Sequence, residues 1–61
     1  MENNKISIIR KRQKISQTEL AERLNIDRTH LNKVENGKVR PSVALLERIA
    51  AELGVSIQDL F

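Results

Sequence analysis

The sequence contains no cysteine, tryptophan or tyrosine, and only one phenylalanine, one histidine, one proline and two glycines. Without cysteine there is no disulfide staple and no thiolate metal centre. A lone histidine, His30, cannot build a zinc or paired-histidine site. No stretch approaches the roughly 18 consecutive apolar residues that a membrane-spanning helix needs. Met1 to Lys5 lacks the apolar run of a secretory leader. These absences lead to the expectation of a cytoplasmic protein that uses no metal and no other cofactor.

What is present is a 61-residue chain, 39% apolar and almost wholly aliphatic, expected to form one domain over residues 1–61. A chain of this size buries only about 60% of the surface its unfolded form exposes, so its core must be economical. At this length no separate effector domain is expected, and no small-molecule effector is expected within this chain. The net charge is +3, unevenly spread. Residues 1–40 carry ten of the eleven Lys and Arg against five acids, a net +5. Residues 41–61 carry Arg48 against Glu47, Glu52 and Asp59, a net −2. That partition fits one surface built for a polyanion and another kept clear of it.

Helical spacing dominates the pattern. Ile6, Ile9 and Gln13 recur at one face and predict a first helix over about 4–13, with Ile8 off the stripe. Ser16, followed three residues later by Glu19, has the form of a capping box and opens a helix over 17–24. Its inward face is Leu20, Ala21 and Leu24, and Asn25 falls at its left-handed stop. Asp27 is the next N-cap, for a helix over 28–35 that turns Leu31 and Val34 inward and ends at Asn36-Gly37. After a loop from Lys38 to Pro41, Ser42 caps a helix over 43–53. Its stripe is Val43, Leu46, Ile49, Ala50 and Leu53, and Gly54 closes it. Ser56 with Asp59 predicts a last helical turn over 57–61. No alternating segment of strand length remains. The fold class is all-α, with five short helices.

Only Asn25-Ile26-Asp27 separates the second helix from the third. Helices joined by so short a turn cross steeply, the helix-turn-helix arrangement in which the second member enters the DNA major groove. Ala21 allows the close approach at the crossing, and Ile26 plugs the corner. A generic corner in a protein-interaction domain shares this pattern. With Leu31 and Val34 inward, Arg28, Thr29, Asn32 and Lys33 fall on the opposite face. Their groups suit base edges: Arg or Lys to guanine, Asn to adenine, Thr to thymine. An ordinary solvated helix face has the same polarity.

The run Ile15-Ser16-Gln17-Thr18-Glu19-Leu20-Ala21 is followed by Leu24-Asn25-Ile26-Asp27, Leu31-Asn32-Lys33-Val34-Glu35-Asn36-Gly37 and Arg40-Pro41-Ser42. Together with Ile49-Ala50-Ala51-Glu52-Leu53-Gly54-Val55-Ser56 and Asp59-Leu60-Phe61, it closely resembles the phage-repressor/Cro (XRE-type) helix-turn-helix family over about residues 5–61. The resemblance implies a compact five-helix, lambda-repressor-like domain that binds double-stranded operator DNA, usually as a homodimer. Such a protein is a transcriptional regulator of repressor or controller type.

The resemblance also implies roles for particular residues. Arg28, Thr29, Asn32 and Lys33 occupy the base-reading positions, with Arg28 and Thr29 deepest in the groove. Gln17 matches a residue that holds a phosphate, at a helix start where free N–H groups favour an anion. Asn36, Lys38 and Arg40 are similarly placed for phosphate contacts in the loop that follows. Arg10 and Glu35 match positions that form an ion pair tying the first helix to the recognition helix. Lys11 and Lys14 read as solvated charge, and His30 as a partly packed residue on the helix flank. Lys14 and Asn25 depart from the family in standing where glycine is frequent. A left-handed Lys14 is strained, so the alternative is a first helix without a left-handed stop.

The candidate dimer surface is Ile57 and Phe61, small enough that pairing is expected mainly on DNA. No Ser-His-acid set and no glycine-rich phosphate loop is present, so an enzyme is not expected. The rival class is a protein-interaction adaptor or antitoxin-like module on the same fold. That reading calls for apolar or acidic residues on the outer face of the third helix.

Overall fold

The computed structural model describes residues 4–61. Four α-helices, α1 (Ile6–Arg12), α2 (Gln17–Leu24), α3 (Arg28–Glu35) and α4 (Val43–Leu53), are followed by one 3-10 turn, Ile57–Leu60. No strand occurs among the described residues. Each helix turns a narrow aliphatic stripe inward: Ile6 and Ile9, Leu20 and Leu24, Leu31 and Val34, Ile49 and Leu53. Ala21 and Ala50 are the small buried residues among them, and Leu60 closes the cluster from the last turn. Among the described residues no helix is long and apolar enough to cross a membrane.

All four α-helices stop in the same way. A left-handed residue, Lys14 (φ 62°), Asn25 (φ 58°), Gly37 (φ 74°) or Gly54 (φ 71°), follows each one. Around it a pair of N–H groups turns back: Lys14 to Lys11 O and Ile15 to Arg10 O after α1, Asn25 to Glu22 O and Ile26 to Ala21 O after α2. Gly37 to Val34 O and Lys38 to Lys33 O repeat it after α3, and Gly54 to Ala51 O and Val55 to Ala50 O after α4. This double bond satisfies carbonyls that have no intrahelical partner. Three of the residues that follow the left-handed one, Ile15, Ile26 and Val55, pack against the core. The exception is Lys38, after α3, which is exposed.

The helix starts are less uniform. Ser16 Oγ accepts the Glu19 N–H at 3.0 Å, and Ser42 Oγ accepts the Leu45 N–H at 3.1 Å. Glu19 does not return the bond to Ser16, because its carboxylate pairs with Arg23 one turn along. Asp27 has the extended dihedrals of an N-cap, yet its side chain makes no capping bond. The first helix is shorter than 4–13: Lys5 and Gln13 are its flanking caps, and Asn4 lies one residue further out. Asn4 Oδ1 accepts the Ile6 N–H at 3.0 Å.

Two further expectations are corrected. The segment over 57–61 is a single 3-10 turn, not a fifth α-helix. Its bonds run three residues back, from the Asp59 N–H to Ser56 O and from the Phe61 N–H to Gln58 O, the tighter pattern typical of short pieces. Val43, placed on the inward stripe of α4, is 68% exposed. It is the first residue of α4, and Leu45 and Leu46, two and three residues on, pack against the core instead.

Side chains from distant helices lock the ends together. Gln13 Nε2 donates to Leu53 O at 2.7 Å, joining the end of α1 to the end of α4. Arg48 Nη2 donates to Leu24 O at 2.6 Å, joining α4 to the end of α2. Asn4 Nδ2 donates to Val34 O at 2.8 Å, and the Lys5 N–H to Leu60 O at 2.7 Å. Each acceptor is a carbonyl near a helix C-terminus, where free carbonyls collect.

Candidate nucleic-acid interface

The outer face of α3 is built by the residues its inward stripe leaves over. Leu31, Val34 and Glu35 are buried, so Arg28, Thr29, Asn32 and Lys33 are exposed together on the far side. His30 sits half-buried at the edge of that face. Asn36 Nδ2 donates to Asn32 Oδ1 at 3.1 Å, one turn apart, so the two amides form a short rail along the helix. Beyond it the exposed Lys38 and Arg40 continue the polar surface through the loop. The loop leaves α3 through Gly37, the left-handed residue of the stop.

Beneath this face lies a buried charged cluster. Arg10 Nε donates to Glu35 Oε2 at 2.7 Å, and Arg10 Nη2 donates to Glu35 Oε1 at 3.0 Å. The two side chains are 8% and 4% exposed. The fork-to-fork geometry is the strongest form of carboxylate pairing available to arginine. Arg10 Nη1 spends a further N–H on Ile15 O at 3.0 Å. Gln17 Nε2 also donates to Glu35 Oε1, at 3.0 Å. One buried carboxylate therefore joins α1, the first residue of α2 and the last residue of α3. No buried side-chain polar atom among the described residues lacks a partner.

The sequence-derived candidates thus divide into three groups. Arg28, Thr29, Asn32 and Lys33 share the outer face of α3, Asn36 is bonded to Asn32 one turn on, and Lys38 and Arg40 are exposed in the loop that follows. Arg10, Glu35 and Gln17 meet beneath that face, and Gln17 is half-buried with its amide already engaged. Ile57 and Phe61 stand apart at the last turn. Ile57 is half-buried against the core, while Phe61 is 59% exposed. Sequence reasoning missed the clamps made by Asn4, Gln13 and Arg48. Gln13 carried a signal, a polar residue in the register of a core stripe. Asn4 carried a weaker one, an Asn ahead of a helix start. Arg48 carried none.

The sequence pattern of the helix-turn-helix family, XRE type, matches residues 6–60. The chain belongs to that family. Among its relatives is the control protein C.MunI of a Mycoplasma species, 39% identical over 59 residues, which span 95% of this chain and 80% of the relative. The immunity repressor of Bacillus phage phi105 is 38% identical over 56 residues, 92% of this chain. Those residues make up 39% of the phage protein, so this chain matches well under half of that helix-turn-helix relative. Among solved helix-turn-helix structures, the restriction-modification controller protein C.AhdI of Aeromonas hydrophila superposes with a TM-score of 0.87 at 26% identity. That match covers 93% of this chain and 86% of the other. SinR, the biofilm master regulator of Bacillus subtilis solved in complex with DNA, superposes with a TM-score of 0.84 at 33% identity. It covers 93% of this chain and 95% of that one.

Proposed function

We propose that this chain is a DNA-binding transcriptional regulator of repressor or controller type that reads a pseudo-palindromic operator through the major groove. The observation that carries the reading is the outer face of α3, where Arg28, Thr29, Asn32 and Lys33 are exposed side by side. Those residue types match the donor and acceptor patterns of base edges. Family membership and the likeness to a DNA-bound regulator support the same reading.

In this reading Arg28 and Thr29, in the first turn of α3, reach deepest, and Asn32 and Lys33 follow one turn on. Gln17, Asn36, Lys38 and Arg40 hold the flanking phosphates and set register. Glu35 supports Gln17 from behind by holding one amide N–H, which leaves the second N–H free for an oxygen. The Arg10–Glu35 pair fixes the angle of α3 against α1. Two copies meet through Phe61 and the adjoining Ile57, mainly once both are on DNA.

Selection of bound sites from random duplex DNA, at two salt concentrations, tests this directly. Recovery of a pseudo-palindrome, with affinity that falls at higher salt, is the expected result. Sequence-indifferent binding, or none, overturns the reading and favours an adaptor.

A further inference from the structure

Helix α1 has a second face that the DNA-binding surface does not use. Its buried side, Ile6, Ile9 and Arg10, is turned to the core and to Glu35. On the outer side Lys5, Ile8 and Arg12 share a stripe at helical spacing. Ile8 is 55% exposed. It does not project from a convex surface. With Ile9 and Val55 it gives an apolar floor to a half-open groove of about 370 Å³ between α1 and the last turn, whose remaining lining is polar: Lys5, Arg12, Gln13 and Asp59.

The charges around this groove choose the occupant. Among the described residues neither Lys5 nor Arg12 has an acidic partner at ion-pair distance. Asp59 is held at the rim by its own turn, its Oδ2 accepting the Ser56 N–H at 3.1 Å. The groove therefore carries two cations seven residues apart, roughly 10 Å along the helix, against the single carboxylate of Asp59, and its rim is net positive. A nucleic-acid backbone matches the cations but not the floor. A peptide segment with an apolar side chain between two carboxylates matches both.

We propose that this groove is a docking surface for an acidic, apolar-anchored segment of a partner protein. The anchor lies over Ile8 and Val55, with carboxylates at Arg12 and Lys5. None of Gln17, Arg28, Thr29, Asn32, Lys33, Asn36, Lys38 or Arg40 lines the groove. A partner seated there leaves the recognition face clear, so partner and DNA are held at once. That last consequence rests on the DNA-binding reading; the docking itself does not.

The test uses isotope-labelled protein and a synthetic amphipathic peptide carrying one Leu between two Glu at helical spacing. The controls are the same peptide with Leu replaced by Ser and with both Glu replaced by Lys. Without DNA, saturable amide shifts are expected at residues 5–12 and 55–59, with those at 28–40 unmoved. Ile8→Glu should weaken binding at least tenfold and Arg12→Glu several-fold. Both variants should keep the wild-type melting temperature, and Ile8→Ser repeats the comparison without added charge. Shifts centred on residues 28–40 would mean that the peptide merely mimics DNA, and would overturn the proposal. So would equal binding of the Lys control, indifference to Ile8→Glu and Ile8→Ser, or no saturable shift. Adding operator DNA then asks the separate question of simultaneous binding. Displacement of the peptide there overturns the co-occupancy and leaves the docking result standing.

Discussion

Glu35 is the residue on which three elements depend. Its carboxylate accepts from Arg10 twice and from Gln17 once, in a site nearly closed to water. Removing one partner of such a pair strands the other charge, at a cost of about 3–5 kcal/mol. A domain of this length commands only about 3–9 kcal/mol in total, by the usual stability per residue. Glu35→Ala is therefore expected to lower the melting temperature by more than 15 °C or to abolish cooperative unfolding, as followed by circular dichroism. Replacing both partners, Arg10→Met with Glu35→Leu, should recover much of the loss, because no charge is then stranded. An Ala variant that melts within two or three degrees of the wild type would falsify the role assigned to the pair. Lys14 offers the opposite experiment. It holds φ 62° with an exposed side chain, so glycine relieves the backbone without losing packing. Lys14→Gly should gain about 0.5–1 kcal/mol, a rise of several degrees in a domain this small. Asn25→Gly, at φ 58°, should gain less, since Asn tolerates this conformation better than Lys.

At the scale of elements, the proposed reading divides the work between α3, for specificity, and the loop behind it, for affinity. Arg28, on the first turn of α3, is expected to touch a base, and Lys38, beyond the Gly37 stop, a phosphate. Arg28→Ala should cost about 1–3 kcal/mol and relax one operator position per half-site. Lys38→Ala should weaken all sequences alike and reduce the salt slope by about one. Binding titrations across a small operator library at several salt concentrations separate the two. A uniform loss for Arg28→Ala would reassign it to the backbone. The helices were legible where capping residues bracket them. Ser16, Asp27 and Ser42 mark the starts of α2, α3 and α4, and Asn25, Gly37 and Gly54 mark their stops. Periodicity misled at α4, where Val43 fits the stripe by spacing but, as the first residue of the helix, stays exposed while Leu45 and Leu46 reach the core. It also said nothing of the clamps from Asn4, Gln13 and Arg48, because a bond to a carbonyl 24 to 40 residues away depends on the finished packing. The polar face of α3 could be read in advance because the inward stripe leaves only one side for it. That Gln17 is tied to Glu35 could not be read, since both ends are set by how α2 meets α3.

At the scale of the whole molecule, size argues for a second copy. The described residues extend 26 × 22 × 20 Å, less than the roughly 34 Å that separates successive major-groove half-sites on one side of DNA. On the proposed pseudo-palindrome one copy is expected to fill one half-site, so two copies are expected per operator. The exposed ring of Phe61 lies in the acidic third of the chain and is the group proposed for a small isologous contact. A patch of one exposed ring and one half-buried Ile57 lies far below the roughly 800 Å² per partner of a stable interface. The free protein is therefore expected to sediment as a monomer at micromolar concentration and to pair on a two-half-site operator. Phe61→Ser should lower affinity for that operator at least tenfold while changing affinity for an isolated half-site less than twofold. The melting temperature should not move, because Phe61 lies outside the core. Shifting the half-sites by half a helical turn should remove the same cooperative gain from the wild type, by turning the two copies to opposite faces of the DNA. Equal losses of Phe61→Ser on whole and half operators would place Phe61 in DNA binding itself, and a variant indifferent on both would leave the pairing surface elsewhere.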